Sequence, residues 1–226
     1  LEKNVSPSTL VVLSNSGKPG AAGAWNTGLH YLADRGFSGF VAILDDDDEW
    51  DVEHIAVCTE KILKSDANLV VSGLRMVRCG CLQPRLMIQA LCDRDFLTGN
   101  PGWQGSNTFV SLPLLRAAGC FREGLQSLND RDLALRLLRQ PQAKPAVTNR
   151  WTATWYSDTC GSLSEYGSPG KLHGLRQFWR LYRDDFTHEE TKLYFERASR
   201  LFGFGYSDVA VELADREFAM DNFDKC

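Results

Sequence analysis

Val41-Ala42-Ile43-Leu44-Asp45-Asp46-Asp47-Asp48-Glu49-Trp50 is the stretch on which the fold turns. The near-continuous apolar run from Phe37 to Leu44 reads as a buried strand, and it stops abruptly at four aspartates. Upstream, Ala21 to Arg35 carries apolar residues at helical spacing (Ala21, Trp25, Leu29, Leu32), with Gly20 and Gly36 as end signals. Thr9 to Leu13, apolar and partly β-branched, is expected as another buried strand before a turn-rich loop. Downstream, Asp51 is expected to cap a helix with Val52, Ile55, Ala56, Thr59, Ile62 and Leu63 on one face. Leu69 to Leu74 then reads as a third strand. Strand, helix, strand, helix, strand predicts an α/β fold with a mostly parallel sheet flanked by helices.

Beyond this unit, Gly99 to Asn107 is a Gly-rich loop holding Trp103, and Ser111-Leu112-Pro113 opens a short helix by N-cap and early proline. A second helix is expected from Asn129 or Asp130 to about Arg139, with Leu133, Leu137 and Leu138 inward, and Trp151 to Tyr156 as a strand. From Lys171 the pattern is helical to the end, broken near Gly203-Phe204-Gly205. Ser207 is expected to cap a last helix through Val209, Val211, Leu213, Ala214 and Phe218. The predicted organisation is an α/β domain over 1–170 and a helical extension over 171–226.

A chain of 226 residues, 43% hydrophobic and 24% charged, is long enough to bury a core without disulfides or metals. Its 25 basic residues against 29 acidic ones leave a net charge of −4. With no basic surplus to displace phosphate counterions, nucleic acid is not expected as the main partner, a local basic patch being left open. Seven scattered cysteines read as reduced thiols and a cytoplasmic setting, with peripheral membrane association left open. Cys79-Gly80-Cys81 with Cys92 fits no common zinc spacing. No stretch approaches the ~20 apolar residues of a membrane span. Leu1-Glu2-Lys3-Asn4, with neither an initiator Met nor a signal pattern, reads as a cut end.

In an open α/β sheet, ligands bind beyond the carboxyl ends of the strands. Four carboxylates crowded there repel one another unless a cation or a hydroxyl-rich ligand sits among them, and oxygen ligands of this kind suit Mg²⁺ or Mn²⁺. The alternative is a solvated loop whose charge favours the N-terminus of the following helix. The position of the run, against a buried strand and before Trp50, favours a metal or phosphate site.

At this point the sequence resembles glycosyltransferase family 2, of the GT-A fold. The family's Leu-Asp-x-Asp-Asp-x-Trp appears as Leu44 to Trp50, and its small-residue helix with Arg-Asn-x-Gly appears as Gly20 to Gly28, with Trp25 in place of the Arg. Gly105-Ser106-Asn107, Gly119-Cys120-Phe121-Arg122-Glu123, Asn129-Asp130 and Gly161-Ser162-Leu163-Ser164 are similar to later family motifs, in the family's order. The resemblance implies that Asp45, Asp46 and Asn26 contact a nucleotide-sugar. It implies that Asp47 and Asp48 hold Mn²⁺ or Mg²⁺, and that Asp130 is the general base of an inverting transfer. Trp103, Gly105 and Ser106 would line the acceptor side, the acceptor being a glycan, lipid or protein. A UDP-sugar is the family-level preference for donor. The family's first strands, which hold the nucleobase, have no counterpart before Thr9, so an upstream segment or a partner chain would supply that half.

Two readings compete with this one. Asp130 could merely cap its helix, Trp103 could be a packing residue, and Asn26 and Gly28 could serve only helix–sheet contact. At the level of the whole chain, the alternatives are a catalytically incomplete GT-A-like fragment or carbohydrate-binding module, and a haloacid-dehalogenase-like phosphohydrolase. The last is disfavoured because Glu49-Trp50 follows the aspartates and no later Lys with paired acidic residues stands out.

Overall fold

The computed structural model describes residues 10–83, 87–157 and 165–210. Its six strands are β1 (Phe40–Ala42), β2 (Glu49–Trp50), β3 (Leu69–Arg78), β4 (Cys81–Gln83), β5 (Thr108–Ser111) and β6 (Pro145–Tyr156). They form one sheet in the order β1-β5-β3-β6-β2, with β4 folded back on the end of β3. The helices are α1 (Ala21–Asp34), α2 (His54–Ser65), α3 (Asp93–Thr98), α4 (Leu112–Ala117), α5 (Asn129–Leu138), α6 (Pro169–Tyr182), α7 (His188–Phe202) and α8 (Tyr206–Val209).

The α/β class is as expected, but the sheet is mixed rather than mostly parallel. Only β3 and β6 run parallel; β1–β5, β3–β5, β2–β6 and β3–β4 are antiparallel. The long parallel pair forms the spine. Leu69, Val70 and Val71 are buried in it, and the continuous apolar run of β3 follows from its having both faces covered.

Helix ends fall where local chemistry puts them. Gly20 at φ 116° opens α1 and Gly36 at φ 75° follows it, backbone that L-residues with a Cβ adopt poorly. Ser111 caps α4 through the Leu114 N–H, with Pro113 in the first turn. Ser168 does the same for α6, and Thr187 with Glu190 forms a capping box on α7.

Three expectations fail. Leu10 to Leu13 is not a strand: no strand among the described residues pairs with it, and Leu10 and Val12 are almost fully exposed. The strand expected over Phe37 to Leu44 shrinks to three half-buried residues at the sheet edge. Asp51 does not cap α2, because both its oxygens accept from the Arg75 guanidinium at 2.9 Å; the helix starts at His54. It therefore buries His54, Val57 and Cys58 instead of the expected face, leaving Val52 and Leu63 in solvent. The expected late loop at Gly161-Ser162-Leu163-Ser164 and the last helix from Val211 onward lie outside the described residues.

One large apolar cluster joins α1, α3, α4, α5, α6 and α7. Phe178, Trp179, Tyr182, Tyr194 and Phe195 of the expected helical extension belong to it together with Leu133 and Leu137 of α5. An internal ion cluster ties the same helices. Asp132 is fully buried and accepts from Arg122 (2.9 Å), Arg136 (2.6 Å) and the Tyr182 hydroxyl (2.7 Å).

Candidate active site

The four aspartates follow β1 in a tight turn, closed by the Asp48 N–H donating to the Asp45 carbonyl at 3.2 Å. Asp45 is half-buried, Asp46 and Asp47 are exposed, and Asp48 is buried. The turn is anchored from behind by the 3₁₀ segment Gly105–Asn107. The Asp45 N–H donates to the Ser106 hydroxyl at 3.1 Å, and the Trp50 indole N–H donates to the Ser106 carbonyl at 2.6 Å. Trp50 in turn stacks on His54 with ring centroids 4.6 Å apart.

Gly105 brings the acidic turn and α5 together. A Cβ there would lie 3.2 Å from Ile43 Cγ2 and 3.4 Å from the nearer Asp45 oxygen, so a larger side chain would push the turn away. The Gly105 N–H also faces the Asp130 carboxylate and lowers its proton affinity without completing a hydrogen bond. One short segment thus bonds to the Asp45 turn on one side and faces Asp130 on the other. Asp130 does not cap its helix; the cap position is Leu128, at φ 68°.

The electrostatics follow from this crowding. Burial, then repulsion from Asp130, Asp48, Asp47 and Asp46, pushes Asp45 up to about 7. Burial raises Asp130 to about 6, against the opposing pull of the Gly105 N–H and the Lys171 ammonium. Burial also raises Asp48, whose carboxylate faces the Ser106 hydroxyl and the Tyr156 N–H. Neither contact completes a hydrogen bond, so both Asp48 oxygens are buried and unpaired. A buried, unpaired carboxylate calls for a proton or a cation. Among the described residues no group of three or more ligating side chains is assembled for a metal. A divalent ion shared with a ligand's phosphates needs only one or two protein carboxylates, so the turn fits such an ion.

The other expected site residues are placed differently. Trp103 is 1% exposed, its indole N–H held by the Thr108 hydroxyl at 2.6 Å and its ring set edge-on to Phe96. It is a core residue and offers no face to a sugar. Gly105 and the fully buried Ser106 hold the acidic turn rather than line an open surface. Asn26 is buried, and its amide is engaged by the Phe121 carbonyl, the Phe121 N–H and Glu123, bracing α1 against the segment after α4.

Two cavities flank these residues. A groove of about 510 Å³ runs beside β1, lined by Leu10, Leu13, Trp25, Leu29, Val41 and Ile43 among others. No strand among the described residues pairs with the outer edge of β1. On the other side, a pocket of about 180 Å³ has Asp130, Arg131, Lys171 and Arg197 in its walls, with Gln104 and Trp155. Sequence reasoning missed this pocket. One signal was available: Lys171 stands in the first turn of α6, where a cation opposes the helix dipole.

The site thus sets a carboxylate turn, just after the edge strand of a mixed α/β sheet, against a helix whose Asp130 has a raised proton affinity. The sequence profile of glycosyl transferase family 2 matches residues 3–126, more than half of the 226, and the chain belongs to that family. Among solved structures it is similar to S. aureus TarS 1-349 in complex with UDP-GlcNAc: 18% identity, TM-score 0.51, covering 78% of this chain and 52% of that one. TarS 1-349 without that ligand gives 15% identity and a TM-score of 0.49, covering 82% and 53%. The chain therefore spans about half the length of these TarS chains, and at 18% identity the first of them supports the GT-A fold alone. No curated protein matches in sequence. No helix among the described residues is long and apolar enough to cross a membrane.

Proposed function

We propose that the chain carries the catalytic centre of an inverting glycosyltransferase, moving a sugar from a nucleoside-diphosphate donor to an acceptor hydroxyl. One observation carries the reading: the Gly105–Ser106 segment anchors Asp45 and faces Asp130, and the two carboxyls, close enough for Asp130 to repel Asp45, both have raised proton affinity. Asp130 takes the proton from the acceptor hydroxyl as its oxygen bonds to the anomeric carbon. The bond to the diphosphate breaks with its electron pair leaving on the phosphate, and the configuration inverts. Asp45 and Asp46 face the donor. Asp47 and Asp48 would hold Mn²⁺ or Mg²⁺, which offsets the charge gathering on the diphosphate. A UDP-sugar is the favoured donor, since the similar TarS structure holds UDP-GlcNAc. The open edge of β1 and its apolar groove are where an upstream segment or partner chain would add to complete the nucleotide-binding half.

The test is calorimetric titration of the chain with UDP, GDP and dTDP, each with and without Mn²⁺, beside the Asp47→Asn variant. Saturable UDP binding that requires Mn²⁺ and is lost in Asp47→Asn is the expected result. Failure of all three nucleotides to bind folded protein removes the donor site from this chain.

A further inference from the structure

The pocket on the far side of Asp130 has a charge pattern that the proposed chemistry does not use. Its walls include Asp130 and none of the four aspartates after β1, so Asp130 is the wall it shares with the acidic site. Against that one carboxylate stand three cations: Arg131, Lys171 and Arg197.

Arg131 is accounted for. Its guanidinium donates to the Phe96 and Leu97 carbonyls at 2.8 and 2.5 Å and lies over the Phe178 ring, 4.4 Å from its centroid. It bridges α3 and α5 and meets no carboxylate. Lys171 and Arg197 are not accounted for. Lys171 is 6% exposed, yet its ammonium has no hydrogen bond or ion pair among the described residues; its contact is the Phe202 ring, 4.7 Å away. Arg197, half-buried on α7, likewise has neither, and its neighbour Arg200 adds a further positive charge.

Burying an ammonium is costly, and here burial pulls Lys171 down to about 8, although the one carboxylate beside it, Asp130, opposes the shift. Besides Asp130, the charges acting on it are Arg131 and Arg197, both cationic and both opposing its own charge. An anion entering the pocket would relieve that repulsion. A phosphate or carboxylate group has the charge and the acceptor oxygens to take an ammonium and a guanidinium together.

We propose that this pocket binds an anionic group, a phosphate or a carboxylate, through Lys171 and Arg197, and that the group belongs to the acceptor. The second half of the statement rests on the transferase reading, because it is Asp130, acting as base, that turns the pocket into the acceptor side. An anion fixed by Lys171 and Arg197 would hold a neighbouring hydroxyl of the same molecule against Asp130. Lys171 and Arg197 are then positioning residues for an acidic acceptor, one that carries a phosphate or a carboxylate beside its reacting hydroxyl.

The experiment titrates the full chain with sn-glycerol 3-phosphate, glucuronate, inorganic phosphate and neutral glycerol, followed by calorimetry and by NMR of the Lys171 side chain. The same titrations run on Lys171→Met and Arg197→Gln, and each protein is also titrated with UDP and Mn²⁺. Lys171→Met replaces an unpaired buried charge by a side chain of similar length beside Phe202, so folding is retained; Arg197→Gln is the second, less buried probe. The expected result is that one or both of the organic anions bind with a shift of the Lys171 signal, and glycerol does not. Each variant weakens that binding at least tenfold while leaving the UDP–Mn²⁺ affinity within twofold. Stronger binding of glycerol phosphate or of glucuronate identifies phosphate or carboxylate as the group. Binding of glycerol equal to that of glycerol phosphate, or anion binding unchanged in both variants, overturns the proposal. Loss of UDP binding in wild-type protein, with the anion still bound at Lys171, overturns the transferase reading and leaves the anion site standing.

Discussion

Asp130 joins the two sides of the site, and its chemistry is set by burial and by three neighbours, Gly105, Lys171 and Asp48. Burial raises its carboxyl to about 6, while the Gly105 N–H and the Lys171 ammonium hold the rise back. A general base works only when deprotonated, so turnover of the donor should rise tenfold per pH unit below about 6 and level off above it. The pH profile of kcat/KM, read beside a ¹³C titration of the Asp130 carboxyl, checks this. A flat profile down to pH 5 would remove Asp130 from the base role. Individual residues were legible in the sequence to very different degrees. The aspartates could be singled out because four like charges at a strand end are a local anomaly. Asp130 could be found only through a family resemblance, since a carboxylate in the first turn of a helix is ordinary. Lys171, 41 positions further on, meets it only because α6 folds back across α5, and no local pattern records that meeting.

Among the elements, α2 shows how a buried polar group can set the face of a helix. Its expected apolar stripe failed because hydrophobic spacing counts neither His54 nor Cys58 as core, yet both are buried. His54 is 1% exposed, shares a 2.8 Å hydrogen bond with the Thr152 hydroxyl of β6, and stacks on Trp50. Burial lowers its pKa from 6.5 to about 4, with Asp51 opposing. The unfolded chain therefore binds the proton first as pH falls. Stability is unaffected by His54 above about 6.5, drops between about 6.5 and about 4, and is level below that, a loss of about 3 kcal/mol in all. Urea denaturation of wild type and His54→Gln between pH 7 and pH 4 isolates the effect from that of the carboxylates. The variant should lack this part of the slope; identical slopes would mean that His54 is already protonated in the folded state. The same element-level reasoning explains the successes. α1 and α4 carried their end signals in glycines, Ser111 and Pro113, all local. The edge position of β1 and the solvent-facing Leu10 to Leu13 depend on which strands lie alongside, which an apolar run does not reveal.

Across the whole molecule, the apolar cluster ignores the expected boundary at 170/171. Tyr194 of α7 is 1% exposed, donates its hydroxyl to the Leu175 carbonyl at 2.8 Å, and packs with Phe178, Trp179, Phe186 and Phe195. Those aromatics share the cluster with Leu133 and Leu137 of α5, the helix that carries Asp130. Asp132, buried one turn-face away, is neutralised jointly by Arg122, Arg136 and the α6 hydroxyl of Tyr182. Loss of α6 would leave that carboxylate short of a partner and open the core beneath the base. The helices after Lys171 should therefore melt together with the sheet. Far-UV circular dichroism, which sees mainly the helices, should give the same midpoint as tryptophan fluorescence, which includes Trp50 and Trp103 of the α/β part. Tyr194→Ala should lower both midpoints together, by about 3–5 kcal/mol of stability. Two separated transitions, with Tyr194→Ala moving only one, would restore the 171–226 segment as an independent appendage. Coincident transitions would mean that the geometry around Asp130 and Lys171 is maintained by the packing of the sheet and the later helices together, with α6 and α7 supplying Lys171, Arg197 and Phe202 to the pocket wall.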